Sequence, residues 1–550
     1  MKRLVTSVLA LSLSSALMAA PPAFDGKRIS DDVKVLASDA FEGRSPATEG
    51  ERKTVAYLSQ ALADAGVQPG GDVVDGKRTW TQAVPLRMSD IVGSPTLSIG
   101  RPGAHQTLTQ REQIAVRAAQ DGSTHVHLDN APLVFVGYGV HAPERDWDDF
   151  KGVDLKGKVM VVLVNDPDFE TGEGDFDGKG MTYYGRWTYK YEEAARQGAA
   201  GVLIVHETAP ASYGWATVAG SNANTMFDVV RDRPADAHTA LEGWIQRDLA
   251  VQLFADAGED FEALKAAARQ RDFRPVTLTG QTFSADYAVS SEVIRSNNVV
   301  GRVEGSQFPD ETVIYSAHWD HIGVGEPDAR GDRIFNGAVD NASGTAALVE
   351  MARAWAAGPQ PQRSVVFLLV TAEEKGLLGS EYYATHPLYP LEKTVAVINV
   401  DGAAPLSASR DFGIYGSADV TLLDQLKDVA ARWDVRYTAD PKPEAGLFFR
   451  SDHFPFAKRG VPAVSYGAGQ DLIEGGLEAG RAQSAEYTAK RYHQQADEWQ
   501  PEWTFAGAVR DLEILWTLGS ELANSRQWPV WGDGSADFGQ IRARSDQQRQ

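Results

Sequence analysis

Three short apolar runs, each stopping abruptly at acids or a histidine, constrain this chain more than any other feature. Thr312-Val313-Ile314-Tyr315-Ser316-Ala317 stops at His318-Trp319-Asp320-His321, and Ser364-Val365-Val366-Phe367-Leu368-Leu369-Val370 stops at Thr371-Ala372-Glu373-Glu374. Thr394-Val395-Ala396-Val397-Ile398-Asn399-Val400 stops at Asp401-Gly402. Continuous apolar runs bounded by turn signals predict strands buried on both faces. Between the first two, Phe335 to Gly344 opens a segment with Ala347, Leu348, Met351, Ala352 and Trp355 at helical spacing. Strands alternating with helices predict an α/β fold around a mixed, largely parallel central sheet. In such sheets ligands sit beyond the carboxyl ends of the strands. Here those ends carry His, Asp and Glu, which predicts a metal site.

Composition narrows the chemistry. A length of 550 residues exceeds one compact core and predicts more than one domain. The formal net charge of −22 argues against nucleic acid and anionic lipid as partners. With 0 cysteines, disulfides, thiolate zinc sites and thiol nucleophiles are excluded, so any metal is held by carboxylates and the 11 histidines. The chain has no Gly-x-Ser-x-Gly elbow, which argues against a serine hydrolase. Met1-Lys2-Arg3, the apolar run from Leu4 to Ala20 and Pro21-Pro22 read as a signal peptide over residues 1–20, cleaved near Ala19 or Ala20. The expectation is an exported protein, periplasmic or secreted, with no integral membrane segment after cleavage.

Along the chain, Ile29 to Ala65 predicts two helices around the loop Glu42-Gly43-Arg44, with Ser30 as a cap. From residue 125 to 283 the texture changes to strands such as Pro132 to Gly139 and Lys158 to Val164, separated by Gly-rich acidic turns. This predicts a β-rich, non-catalytic insertion. Its strand ends do not concentrate metal-binding side chains, and the isolated His141 and His206 read as structural. The main domain is then residues 21–124 and 284–523, with helices near Val420 to Trp433 and Thr504 to Leu522. A Trp-, Gly- and Gln-rich tail, residues 524–550, is expected to be poorly ordered.

In order and context these residues resemble the co-catalytic di-zinc exopeptidases related to bacterial leucyl aminopeptidase, aminopeptidase Y and glutamate carboxypeptidase. The resemblance covers about Arg28 to Gln120 and Asn297 to Leu522, and the insertion resembles a protease-associated domain. It implies a three-layer zinc-exopeptidase fold and two Zn2+ per chain, with Co2+ or Mn2+ as possible substitutes. His318, in Ala317-His318-Trp319-Asp320, would bind one zinc, and His493, in Tyr492-His493-Gln494-Gln495-Ala496-Asp497, the other. Asp340, in Val339-Asp340-Asn341-Ala342-Ser343-Gly344, would bridge them, and Glu374 and Asp401 would each complete one side. Glu373 would be the general base. Many relatives carry an acid or similar polar residue where Val339 stands, a departure that leaves the ligand set intact. The resemblance also implies a cis bond between Asp340 and Asn341.

The residue types suit that chemistry. Two metals about 3.5–4 Å apart need a carboxylate bridge, since one Asp can offer an oxygen to each. Glu373 and Glu374 are neighbours whose side chains diverge, so one can ligate while the other faces the reacting water. Asp320 is expected to support His318 through the second ring nitrogen, and Asp497 to do the same for His493. His321 competes with His318 as a ligand on position alone. Tyr492 could donate to the oxyanion; Arg450 could grip a terminal carboxylate. Gly446 to Pro455 is expected to line the pocket, and His386 to be structural.

The implied function is an aminopeptidase that hydrolyses peptide substrates through a hydroxide bridging the metals. Three other readings share the fold: a carboxypeptidase, a one-zinc glutaminyl cyclase, and an inactive receptor-like binding protein. The last would be marked by lost ligands, and every ligand position is filled here.

Overall fold

The computed structural model describes residues 21–549, so the expected signal segment, residues 1–20, lies outside the described residues. No helix among them is long and apolar enough to cross a membrane. Helix α1 (Gly26–Leu36) is capped by the Asp25 side chain, which accepts from the Lys27 amide. Ser30, expected as the cap, lies inside the helix, and its hydroxyl accepts from the Trp499 indole at 3.0 Å. Thr48 caps α2 (Glu49–Ala65).

The strands that organise the chain are β1 (Thr81–Arg101), β2 (His125–Phe135), β3 (Val159–Leu163), β4 (Gly201–His206), β5 (Leu241–Gln246) and β6 (Val276–Val303). They continue with β7 (Phe308–His318), β8 (Arg363–Val370), β9 (Thr394–Val400), β10 (Asp411–Ile414) and β11 (Ala463–Ala468). The three apolar runs are β7, β8 and β9. Val370 of β8 pairs with His318 of β7, and Asn399 of β9 with Ser316. β7 is parallel to both neighbours and β9 is parallel to β11, while β10 pairs antiparallel with β11 and β6 antiparallel with β8. Every residue of β8 and β9 is buried, as continuous apolar runs require. Helices α3 (Gly344–Ala357), α5 (Ala506–Ala523) and α4 (Thr421–Ala430) pack side by side on one face of the sheet, with Trp355 of α3 against Trp516 of α5 and with α1 and α2 beside α3. A β-carbon added at Gly519 of α5 would fall 1.8 Å from the Tyr315 hydroxyl, which donates to the Leu515 carbonyl at 2.8 Å. Gly519→Ala is therefore expected to cost about 1–3 kcal/mol through overpacking, read as a lower urea midpoint at unchanged m-value.

The second hydrophobic core runs from Leu97 to Val289 rather than over residues 125–283. Residues 114–116 pair with β5, and β1 pairs with β6 from Thr81 to Gly100; β6 runs on from the second core into the main core, where Val299 and Val300 are buried. In this lobe β2, β3, β4 and β5 lie parallel in sequence order. The expected tail is also structured. The Trp531 indole donates to the Gly460 carbonyl at 2.9 Å, and Phe538, on α6 (Ala536–Asp546), stacks against Phe448. Aromatic residues that the composition left unassigned are anchors, and they close the main core from outside.

Candidate active site

The chain reverses after each central strand, and those reversals form the site. His318 ends β7, Glu373 and Glu374 follow β8, and Asp401 follows β9, so all four stand at one edge of the sheet. Asp340 comes from the turn entering α3, and His493 from the loop after the helix Gly476–Lys490. The peptide between Asp340 and Asn341 is cis, as the resemblance implied.

These side chains form two triads that share one carboxylate. His318 Nε2 lies 3.3 Å from Asp340 Oδ1 and 3.2 Å from Asp401 Oδ1. His493 Nε2 lies 3.2 Å from Asp340 Oδ2 and 3.2 Å from Glu374 Oε2. Each oxygen of Asp340 thus faces a different imidazole and a different second acid. Burying so many carboxylates together is unfavourable without cations among them. The donor set of neutral imidazole and hard carboxylate suits zinc. The residues fit the group that the sequence implied.

The supporting contacts differ from expectation in two places. His318 Nδ1 donates to the backbone carbonyl of Asp320 at 3.1 Å, while the nearest Asp320 carboxylate oxygen is 3.8 Å away. That carboxylate instead accepts from the Glu373 amide at 3.0 Å. Asp320 therefore orients His318 through its main chain and Glu373 through its side chain; burial pushes its carboxyl up to about 7. Asp497 does not hold His493. It accepts from the amides of Val339 and Asp340, each at 3.1 Å, and from the Tyr487 hydroxyl at 3.3 Å, fixing the loop that presents Asp340.

His321 belongs to neither triad; its Nδ1 donates to Glu374 Oε1 at 2.6 Å and orients that acid. Ser451 donates to Asp401 Oδ2 at 2.7 Å, and the Asn341 side chain ties the Val400 carbonyl to the amides of Gly344 and Gly402. Glu373 offers an oxygen within 4.8 Å of donor atoms of His318 and Asp401. Burial pushes its carboxyl well above the usual carboxylate range, as suits a proton acceptor working near neutrality.

One residue was missed altogether. Arg44, fully buried, donates to the carbonyls of Trp319 at 2.8 Å, Leu36 at 2.8 Å, Asn336 at 2.6 Å and Gly337 at 2.8 Å. It grips the main chain just after His318 and just before Asp340. Burial lowers its guanidinium to about 10, and the nearby acids oppose that shift.

A cavity of about 340 Å³ adjoins the triads. The main domain lines it with Glu373, Glu374, Phe449, Arg450, Tyr492 and His493, and the second lobe with Arg186, Asp228 and His238 among others. Tyr492, 42% exposed, stacks on His493 with ring centroids 4.0 Å apart. The lobe's contribution carries its own ion network. His238 lies 3.0 Å from Glu242 and 3.2 Å from Asp228, and Arg231 lies 2.9 Å from Asp228. Burial alone would lower the His238 imidazole, but Glu242 and Asp228 outweigh it and hold the group at about 9. A histidine raised above its ordinary 6.5 contributes stability that is fully present below pH 6.5 and lost as pH rises through 9. His238→Gln is expected to flatten the fall in urea midpoint between pH 6.5 and 9, an effect on the order of 1–3 kcal/mol.

The fold is that of the zinc-exopeptidase class, with its mixed sheet and acidic strand ends. Residues 298–517 match Peptidase family M28. Among similar proteins, Aminopeptidase NAALADL1 of Mus musculus is 33% identical over 183 residues, covering 28% of this chain and 21% of that protein. Probable glutamate carboxypeptidase LAMP1 of Arabidopsis thaliana is 28% identical over 272 residues, covering 44% of this chain and 37% of that protein. The chain thus aligns with well under half the length of these curated relatives. Among solved structures, an aminopeptidase from Aneurinibacillus sp. strain AM-1 has a TM-score of 0.51 at 18% identity, covering 92% of this chain and 96% of that one. That likeness establishes the fold.

Proposed function

We propose that the protein is an exported zinc-dependent aminopeptidase that removes N-terminal residues from peptides. The observation that carries the reading is the divided carboxylate of Asp340, with one oxygen toward His318 and Asp401 and the other toward His493 and Glu374. His318, Asp401 and Asp340 would hold one zinc, and His493, Glu374 and Asp340 a second. When bound, the zinc pair supplies Lewis acidity toward the scissile carbonyl and lowers the pKa of water.

The remaining steps belong to the chain's own groups. Glu373 accepts the proton of the attacking water and returns it to the leaving amine. Asp320 keeps Glu373 aimed by holding its amide. Tyr492, beside His493 at the cavity wall, is the donor closest in sequence for the oxyanion. The second lobe, read as a protease-associated domain, walls the cavity and limits it to peptide ends. The run at residues 1–20 supports export to the periplasm or beyond.

A second reading, a carboxypeptidase on the same fold, is favoured by one observation. Arg186 and Arg450 both line the cavity, and neither has an acidic partner among the described residues. The buried Arg186 Nε has no hydrogen-bond acceptor. Two free guanidiniums suit a substrate carboxylate.

A panel of aminoacyl anilides, with amino-blocked and carboxy-blocked peptides, separates the readings. Aminopeptidase action requires a free amino end and tolerates a blocked carboxyl end; the carboxypeptidase shows the reverse. A chelator is expected to abolish turnover and zinc to restore it. Full activity in chelator would overturn both readings.

A further inference from the structure

We propose that the solvent face of the second lobe carries a separate binding site for a borderline divalent transition metal, formed by His125 and His127 of β2 and Asp286 of β6. The strand ends of the insertion do not concentrate metal-binding side chains; these three stand along the strands. Spacing along the chain does not reveal the site, because its third member arrives from a strand some hundred and sixty positions away.

Strand periodicity builds it. Val126, between the two histidines, is buried at 1%, so His125 and His127 both point outward. On β6, Ala285 and Tyr287 are buried at 2% and 3%, so Asp286 points to the same side. The register pairs Asp286 directly with His127 and Ala288 with His125, which puts the acid opposite one imidazole and diagonal to the other. His127 Nδ1 lies 2.8 Å from Asp286 Oδ2, and His125 Nε2 lies 3.2 Å from Asp286 Oδ1. One donor atom from each of the three residues lies within 4.8 Å of the others.

Donor separations and chemistry both fit a metal. Ligands at about 2.0–2.2 Å from a tetrahedral ion stand roughly 3.3–3.6 Å from one another. Small rotations of three half-exposed side chains reach that arrangement. The alternative is a surface hydrogen-bond cluster in which both rings donate to one carboxylate. Side chains with 53%, 66% and 53% exposure gain little from such pairing. Two imidazoles with one carboxylate exclude calcium and magnesium, which prefer all-oxygen shells. Zinc, copper and nickel remain. Three protein ligands leave room for water, so the ion exchanges freely, and it ties β2 to β6, the strand that continues into the main domain's sheet.

The test is calorimetric titration of the full-length chain with zinc chloride, for the native protein, His127→Ala, the His125→Ala/His127→Ala pair and Asp286→Asn. The native chain is expected to bind one more zinc than the double variant, and Asp286→Asn to bind that zinc at least tenfold more weakly. Cu2+ bound at this site is expected to show two coordinated nitrogens by electron paramagnetic resonance, falling to one in His127→Ala. Peptide hydrolysis is expected to be equal in all four proteins. Equal zinc stoichiometry and equal affinity in the native chain and the double variant would overturn the proposal, as would an unchanged copper spectrum.

Discussion

Glu373→Gln is expected to reduce kcat by between about 10²- and 10⁴-fold while leaving bound zinc unchanged. The range is that of a positioned general acid–base group. The amide keeps the shape of the side chain and its place on the cavity wall but cannot accept the proton of the attacking water. Metal content is preserved because neither triad uses Glu373: Asp340, Asp401 and Glu374 provide the acids next to His318 and His493. The loss should fall in kcat, with KM little changed, because the contact is made in the transition state. The measurement is kcat, KM and zinc per chain for the two proteins side by side. A variant with near-native kcat would remove Glu373 from the mechanism. One that had also lost zinc would move Glu373 into the ligand set.

Much of this site was legible because of how β-sheets end. A strand buried on both faces is largely apolar, so the first ionisable side chains at its carboxyl end mark the sheet edge. In β7, β8 and β9 those side chains are His318, Glu373, Glu374 and Asp401. The supporting contacts were harder to read, because proximity in sequence does not say which atom of a residue does the work. Asp320 meets His318 through its carbonyl, since the turn after β7 aims the carboxylate at the Glu373 amide. Asp497 lies close to His493 in sequence but spends its acceptors on the amides of Val339 and Asp340.

Boundaries were lost for a different reason. β1 pairs with β6 along almost its whole length, and β6 serves both cores, so composition shows no break where one core gives way to the other. The tail was misread because its Trp-, Gly- and Gln-rich composition resembles a linker. Trp531 and Phe538 nevertheless bury against the main core. A few anchoring aromatics order a segment that has no amphipathic period of its own.

Arg44→Met is expected to cost about 4 kcal/mol or more of folding stability, a large part of the 5–15 kcal/mol typical of a folded domain. The guanidinium donates to four carbonyls drawn from three separate segments of chain. Charge-assisted bonds contribute about 1.5–3 kcal/mol each, and a buried acceptor left without a donor costs about 1–3 kcal/mol. Burying the charge offsets part of that gain, so the sum is smaller than four full bonds. Arg44→Lys should recover little, because an ammonium is a single point and cannot reach four acceptors arranged around a planar fork. The loss should reach the site as well. The Trp319 carbonyl follows His318 directly, and the Asn336 and Gly337 carbonyls precede Asp340 in its turn. Loosening them separates the imidazole from the shared carboxylate. The check is a urea unfolding curve for each variant, with zinc content and kcat measured well below the transition. The expected pattern is a lower midpoint together with weaker zinc retention in the folded protein. An unchanged midpoint would show that water takes over the four carbonyls. A lowered midpoint with native zinc retention would show that Arg44 holds the fold without positioning the site.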